Sequence, residues 1–599
     1  MTQANSDEKI SSISRNIQEK AALIWNVANS IFGAFKPHEY GLVILPMAVI
    51  KRFHDCLLPT RQAVLDQYKA VEHLAVKDSF LRKASGYQFY NISPFTFETL
   101  KADSENIESN FRAYVNGFSD NVLDILSRMN FPAQIDRMVE AGVLYQVIVD
   151  FCSDKGDMGP DKISAVDMGY IFENLVQRFS ESYNEEAGAH FTSRDIIYLM
   201  CDLLVAGDRD AFGKDGISKT VYDMAMGTSQ MLTCMEERLK QFDTNADVTT
   251  FGQEFNPFTF GVAKADMLIR GGDPDNMQFG NTLDDDKFSG YQFDYCISNP
   301  PFGIDWKREA KTVESEHKHG TNGRFAPGLP SKSDGQMLFM LNGLAKTKDT
   351  GRMAIIQNGS SLFTGDAGSG QSEIRRHLIE NDWLDAIVQL PNDSFYNTGI
   401  ATYIWIITKS KSSERKGKVQ LIDASKCFEP RRKSIGNKRV DISGECRDLI
   451  VTAYGEYQNK VYEGVTDSGK QIVCKSRILK SIELGYNKIV VETPVADDAG
   501  KQSTLVKKSK KRVADVSKRD TENVPLTEDI DAYFAREVTP YNPDAWIDKT
   551  KTKIGYEIPF TRVFYEYKAL EPAADIAARI REHEKGLMVK LHNLLGEVE

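Results

Sequence analysis

The sequence predicts an α/β protein: a helical N-terminal domain, then a doubly wound, mostly parallel Rossmann-like sheet, then a C-terminal helical extension. Three observations carry this reading. Over about the first 160 residues, apolar residues recur at helical spacing and no run alternates cleanly like a strand. From about 163 to 425, short apolar runs alternate with helical stretches, the pattern of strand-helix-strand units around a parallel sheet. From about 572, one apolar stripe repeats at helical spacing.

In the first segment, Ile10, Ile13, Ile17, Ile24, Val27 and Ile31 set the helical period, and Pro37, Pro46, Pro59 and Pro94 punctuate it. In the second, "TVYDMAM", "VTTFGQEF", "MQFGNTL", "FDYCISN", "RMAIIQN", "LDAIVQL" and "ATYIWIITK" read as strands. "SQMLTCMEERLKQF", "PFTFGVAKADMLIR", "GQMLFMLNGLAKT" and "SEIRRHLIENDWL" read as the helices between them. The last two strands have no helix between them, which fits an antiparallel hairpin at one sheet edge. Residues 426–571 are mixed and polar, with basic clusters at 431–439 and 507–519. A charge run reads first as a solvated loop, and the second cluster also as a flexible linker. The tail carries Ile576, Ile580, Leu587, Leu591, Leu594 and Val598 on one face, with His583 filling one position. That stripe packs on its own chain or docks onto a partner; Gly586 weakens the helix as an isolated unit, so it needs a neighbour. The expected domains are 1–160, 161–425, 426–571 and 572–599.

Composition narrows the function. The 599 residues allow two to four domains. The net charge is −11 at pH 7, whereas a chain that binds duplex DNA unaided is more often basic. If the substrate is nucleic acid, a partner or a local basic patch must supply much of the backbone contact. The eight cysteines form no CxxC pair, which argues against zinc and against a disulfide framework. The polar, acidic start is not a signal peptide, and "GLVILPMAVI" is too short to span a bilayer. A cytoplasmic protein with no membrane contact and reduced thiols is expected.

Two stretches carry chemistry. In "VYDMAMGTSQML", Asp223 closes a strand, Gly227 permits a tight turn, and Thr228 and Ser229 are small enough for a ligand to approach the backbone. Glu254 ends the next strand, where a carboxylate can accept both hydroxyls of a ribose. The pair reads as a nucleoside-cofactor site. The absence of GxGxxG favours a cofactor without a pyrophosphate. Upstream, Thr192 or Ser193 can cap the helix that follows and line the same pocket. Asn256 and Pro257 read as helix N-cap and first-turn proline, without chemistry. The second stretch is "DYCISNPPFG". A short strand ends there in Asn299, and Pro300 and Pro301 fix two φ angles beside Phe302. Such a loop holds a side-chain amide stiffly.

The Asn299-Pro300-Pro301-Phe302 run resembles the catalytic loop of amino-group methyltransferases. The wider chain is similar to the modification (HsdM-type) subunit of type I restriction-modification systems. "FGQEFNPFTFGVAKADMLIRGGDPDNMQFGNTL", "NGRFAPGLPSKSDGQMLF", "LFTGDAGSGQSEIRRHLIENDWLDAIVQLP", "FYNTGIATYIWIITK" and "PDAWIDKTKTKIGYEIPFTRVFYEY" carry that likeness. The resemblance implies N6-adenine methylation of DNA with S-adenosylmethionine as cofactor and no metal. It also implies assembly with a specificity subunit that reads the DNA site and, for cleavage, an ATP-driven restriction subunit. It assigns a cofactor loop to Gly188, Ala189, His190, Phe191, Thr192 and Ser193. The turn is Asp223 with Gly227, Thr228, Ser229 and Gln230, the ribose acid is Glu254, and the catalytic loop is Asn299 to Phe302. In that loop the Asn299 side-chain oxygen and the Pro300 carbonyl would accept both hydrogens of the target amine, and Phe302 would stack on a flipped base. The family pattern D-P-x-x-G-T-G-G stands here as Asp223-Met-Ala-Met-Gly227-Thr228-Ser229-Gln230, and F-T-P as Phe191-Thr192-Ser193. Met226 and Gln230 are bulkier than the family residues. The alternative reading is therefore a structural subunit of the same complex with impaired cofactor binding.

Overall fold

The computed structural model describes residues 24–595 except 154–155, 165–166, 170, 173, 176–191, 208–216, 321–322, 397, 496–512 and 567–570. Ile10, Ile13, Ile17, Gly188, Ala189, His190, Phe191, Val598 and the first part of the second basic cluster lie outside the described residues. The chain forms two compact units, Met1–Ile558 and Pro559–Glu599.

Among the described residues, the segment up to Phe151 is helical, as its periodicity predicts. Its hub is α1 (Tyr40–Leu57), in which every residue but Leu42 is buried. Phe53, Phe111, Tyr114 and Phe131 fill the core around it. The same core takes in Val262, Ala265, Leu268 and Ile269, so the helix Pro257–Arg270 fastens the helical region to the sheet region, and Arg128 adds a contact over the Phe279 ring of the sheet at 4.4 Å. Gly261 makes that contact close, since a Cβ there would meet Met129 at 2.7 Å.

The sheet is built from β1 (Ser218–Asp223), β2 (Asp247–Glu254), β3 (Met277–Phe279), β4 (Phe293–Ser298), β5 (Thr347–Asn358), β6 (Leu384–Gln389), β7 (Thr402–Thr408) and β8 (Lys418–Lys426). β1 to β6 and β8 run parallel, and β7 runs antiparallel to both β5 and β6. The helices α2 (Arg194–Ala206), α3 (Gln230–Phe242), α4 (Pro257–Arg270), α5 (Gln336–Lys346) and α6 (Gly370–Glu380) accompany it. The strand order is β3-β2-β1-β4-β5-β7-β6-β8, continued by two strands from further along the chain.

Three expectations are corrected. The β6–β7 hairpin lies inside the sheet, because β7 inserts between β5 and β6 and is buried along its whole length. The sheet also continues past 425: β8 runs to Lys426, and β11 (Lys460–Val465) and β12 (Gln471–Lys480) extend it antiparallel beyond β8. The first basic cluster is not a loop. It forms an antiparallel ribbon, β9 (Glu429–Ile435) with β10 (Lys438–Asp441). A further sheet of β13 (Gly485–Glu492), β14 (Asp520–Pro525), β15 (Trp546–Ile547) and β16 (Lys553–Tyr556) packs on α6, where the buried Arg375 Nε donates to the Tyr556 carbonyl at 2.6 Å. Two short strand expectations shrink, since "MAM" after Asp223 and "GNTL" after Phe279 form turns.

Between β10 and β11, the helix α7 (Gly444–Glu456) returns against α2 and the sheet. In the second unit, α8 (Ala573–Leu595) leaves Ile576, Ile580, Leu587, Leu591 and Leu594 exposed. No helix among the described residues is long and apolar enough to cross a membrane.

Candidate active site

In an open parallel sheet, ligands settle outside the carboxyl ends of the strands, where the strand order reverses. Here that place lies between β1 and β4. β1 delivers Asp223 to it and β4 delivers Ser298 and Asn299. The Ser298 hydroxyl donates to Asp223 Oδ1 at 2.7 Å, and the Ala225 N–H donates to the same oxygen at 3.0 Å. Burial pushes the Asp223 carboxyl up to about 7, with the Ser298 and Ala225 hydrogen bonds pulling it down.

The chain after Asp223 turns sharply. Gly227 has φ +54° and Ser229 φ +65°, so the turn uses the left-handed region twice before α3 begins at Gln230. The Ser229 side chain forms no cap bond. Glu254, at the end of β2, holds the turn: Gly227 N–H donates to its Oε2 at 2.8 Å and Asn256 N–H to its Oε1 at 2.7 Å. Each carboxylate oxygen retains acceptor capacity for one hydroxyl. Asn256 caps α4 as expected, its Oδ1 accepting from Phe258 N and Thr259 N at 2.9 and 3.2 Å, with Pro257 in the first turn. Met226 is accommodated because Gly252 on β2 lacks a side chain; a Cβ there would stand 2.2 Å from the Met226 sulfur.

These strand ends open onto a cavity of about 840 Å³, within the range of cofactor and substrate sites. Thr192, Asp223, Gly227, Thr228, Gln230, Glu254, Asn299 and Pro301 line it. Ser193, Ser229 and Pro300 are buried and do not. Ser193 takes the N-cap position of α2 without a side-chain bond. Phe302 packs against the core of the sheet and is not among the lining residues.

The orientation of Asn299 is fixed by one contact. Its Nδ2 donates to Thr192 Oγ1 at 2.8 Å, which leaves Oδ1 as the free end of the amide. That oxygen is buried and has no hydrogen-bond partner among the described residues. An orphaned acceptor of this kind costs about 1–3 kcal/mol, and it is a mark of a site made to receive a donor. The Gln230 Nε2 is likewise buried without a partner on the cavity wall.

Sequence reasoning missed other lining residues. Phe255 follows Glu254 and is 62% exposed, with an aromatic face free beside the carboxylate. A large apolar residue directly after a strand-closing acid was the signal available. Asn281 and Glu309 join across the cavity floor, Asn281 Nδ2 donating to Glu309 Oε1 at 2.8 Å, and Trp306 closes another wall. Nothing local in the sequence brings those together.

Comparisons with known proteins agree with this architecture. The family model described as N-6 DNA Methylase matches residues 164–488, and the one described as HsdM N-terminal domain matches residues 20–151. The type I restriction enzyme MjaIX methylase subunit of Methanocaldococcus jannaschii is 23% identical over 463 residues, covering 74% of this chain and 78% of that one. The HindI methylase subunit of Haemophilus influenzae is 28% identical over 322 residues, 53% of this chain and 65% of the relative. Among solved structures, the type I restriction-modification methyltransferase subunit of Streptococcus thermophilus shares the fold with a TM-score of 0.57 and 21% identity, covering 78% of this chain and 97% of that one. Because the first of the two family models spans more than half of the sequence and takes in every strand that borders the cavity, this chain belongs to the N-6 DNA methylase family.

Proposed function

We propose that this chain transfers a methyl group from S-adenosylmethionine to the N6 amine of adenine in DNA, as the methylation subunit of a type I restriction-modification complex. The observation that carries the reading is the orphaned Oδ1 of Asn299 at the end of β4, a residue that lines the same cavity as Glu254 and Phe255. Family membership and the names of the relatives support the reaction and the complex.

The residues present fit the cofactor. Glu254 would accept the ribose hydroxyls, and Phe255 would stack on its adenine. Asp223 would face its cationic part, and the turn from Gly227 to Gln230 would pass its methionine end. By resemblance, the loop from Gly188 to Ser193 would also take part in holding the cofactor. When bound, the cofactor supplies a methyl group on a sulfonium, already activated toward attack. The chain's task is then positional. Asn299 Oδ1 and the Pro300 carbonyl accept the two amine hydrogens, which turns the nitrogen lone pair toward the methyl group. Pro300 and Pro301 hold these acceptors rigid, which lowers the entropic barrier to alignment. Phe302, half-buried against the core of the sheet, anchors the loop.

In the same reading, residues 1–160, the sheet region with its continuation to Lys480, and residues 572–599 keep distinct roles. The exposed stripe of α8 meets the specificity subunit, and a restriction subunit joins for cleavage. The alternative of a structural subunit with impaired cofactor binding is not favoured. The turn keeps its left-handed glycine and the cavity keeps its volume despite Met226 and Gln230. The test is transfer of a labelled methyl group to DNA by the purified chain with its specificity subunit, followed by nucleoside analysis. Label in N6-methyladenine supports the reading. Label in cytosine or in protein, or none with cofactor bound, refutes it.

A further inference from the structure

A chain of net charge −11 that acts on DNA needs a local patch of positive charge to meet the phosphates, and the β9–β10 ribbon offers one at the same end of the sheet as the cavity. β8 is parallel to β6 and thus to β4, so its carboxyl end lies on the same sheet edge as Asn299. The ribbon leaves from that end. Four strand spacings of about 4.8 Å put β8 roughly 20 Å from β4, about six base-pair steps of a duplex. The base of the ribbon comes nearer still. Lys438 is buried and its Nζ lies 3.0 Å from Asp195 Oδ2, which also accepts the Ile442 N–H at 2.8 Å. Asp195 stands three residues from Thr192, at most about 11 Å of chain, and Thr192 holds the Asn299 amide.

The charges on the ribbon divide into two sets. Lys438 is consumed by Asp195 and Asp441, and Arg431 by Asp441. Arg432, Lys433 and Arg439 are exposed, and among the described residues their side chains make no ion pair. Backbone bonds fix the ribbon against the β6–β7 loop, Arg439 N–H donating to the Asp393 carbonyl and Asn437 N–H to the Tyr396 carbonyl, both at 2.9 Å. Three cations on a hairpin tied at its base to Asp195, three residues after Thr192, make a fixed phosphate grip and not a drifting charged loop.

We propose that the β9–β10 ribbon holds the phosphate backbone of the DNA next to the target base, through Arg432, Lys433 and Arg439. This rests on the DNA methylase reading. The test compares the full-length parent chain with the triple variant Arg432→Gln, Lys433→Gln, Arg439→Gln, each assembled with the specificity subunit. Anisotropy of a labelled duplex is measured across a series of salt concentrations, with calorimetric S-adenosylmethionine binding as the control. The variant is expected to bind the duplex at least about tenfold more weakly at low salt. Its plot of log affinity against log salt should be shallower by about 2.7, or 0.9 per lost contact. Cofactor affinity should be unchanged. A charge-keeping variant, Arg432→Lys with Arg439→Lys, should retain the parent slope. Equal duplex affinity and slope in parent and triple variant overturn the proposal and leave the charge to a protein neighbour. A parent complex that binds cofactor but no duplex at low salt overturns the DNA reading itself, and the ribbon's role with it.

Discussion

Replacing Ser229 with glycine should stabilise the protein without tightening its hold on the cofactor. Ser229 sits at φ +65°, ψ +14°, a left-handed conformation that costs a residue with a Cβ roughly 1–2 kcal/mol. Glycine removes that strain. It also restores freedom to the unfolded chain, which takes back about 0.4–1 kcal/mol. The serine hydroxyl forms no cap bond to α3, so nothing is lost there, and glycine at an N-cap is only a few tenths of a kcal/mol worse. The balance is a gain of up to about 1 kcal/mol, a rise in Tm of about 2 °C or less for a unit this large. Since the backbone path is unchanged, the S-adenosylmethionine Kd should move less than about twofold. Scanning calorimetry and titration calorimetry on parent and Ser229→Gly read the two quantities separately. A fall in Tm would refute the strain argument. A large gain in affinity would show that serine in this turn damages the cofactor site.

Thr192→Val removes the hydroxyl that accepts the Asn299 amide and so lets Oδ1 and Nδ2 exchange places; methyl transfer should fall about tenfold, the worth of one hydrogen bond of about 1.4 kcal/mol, with cofactor Kd unchanged, and an unchanged single-turnover rate refutes the positioning role. Phe255→Ala should weaken cofactor binding by the worth of one base–aromatic stack, about 1–3 kcal/mol; calorimetry showing parent affinity removes Phe255 from the site. The buried Asp223 carboxyl, raised by desolvation to about 7, favours the protonated form in the fold. Its penalty on stability is absent below its unfolded value near 3.8, grows as pH rises toward 7 and levels off above. Urea unfolding of Asp223→Asn should accordingly lose part of the parent's decline in stability between pH 5 and 7.5, and an identical decline in both refutes the assignment.

Local signals made the site legible and long-range pairing hid the rest. Asn256 and Pro257 announce α4 because a cap and a first-turn proline are chemistry within four residues. Asn299 and its prolines announce the β4 loop for the same reason. The position of β7 between β5 and β6 was not legible, because an apolar run reports burial and not which strand lies beside it. "EPRRKSI" shows no apolar alternation, and it becomes a strand only by pairing with β10. The fit of Met226 depended on Gly252 on the neighbouring strand, 26 positions away in sequence and adjacent only once β1 and β2 pair. Phe302 reads in the sequence as a stacking surface, and its half-buried packing against the core of the sheet follows from how the loop leaves β4.

The central claim is that the Asn299 amide oxygen, left without a partner by the fold, receives the target amine. It is tested most directly by single-turnover methyl transfer to adenine in DNA by Asn299→Ala, at saturating cofactor and alongside the cofactor Kd. The account predicts a rate lower by roughly 10²-fold or more, the scale of losing one pre-aligned charge-stabilising contact, with the Kd held within about twofold. Methylation at close to the parent rate would contradict it.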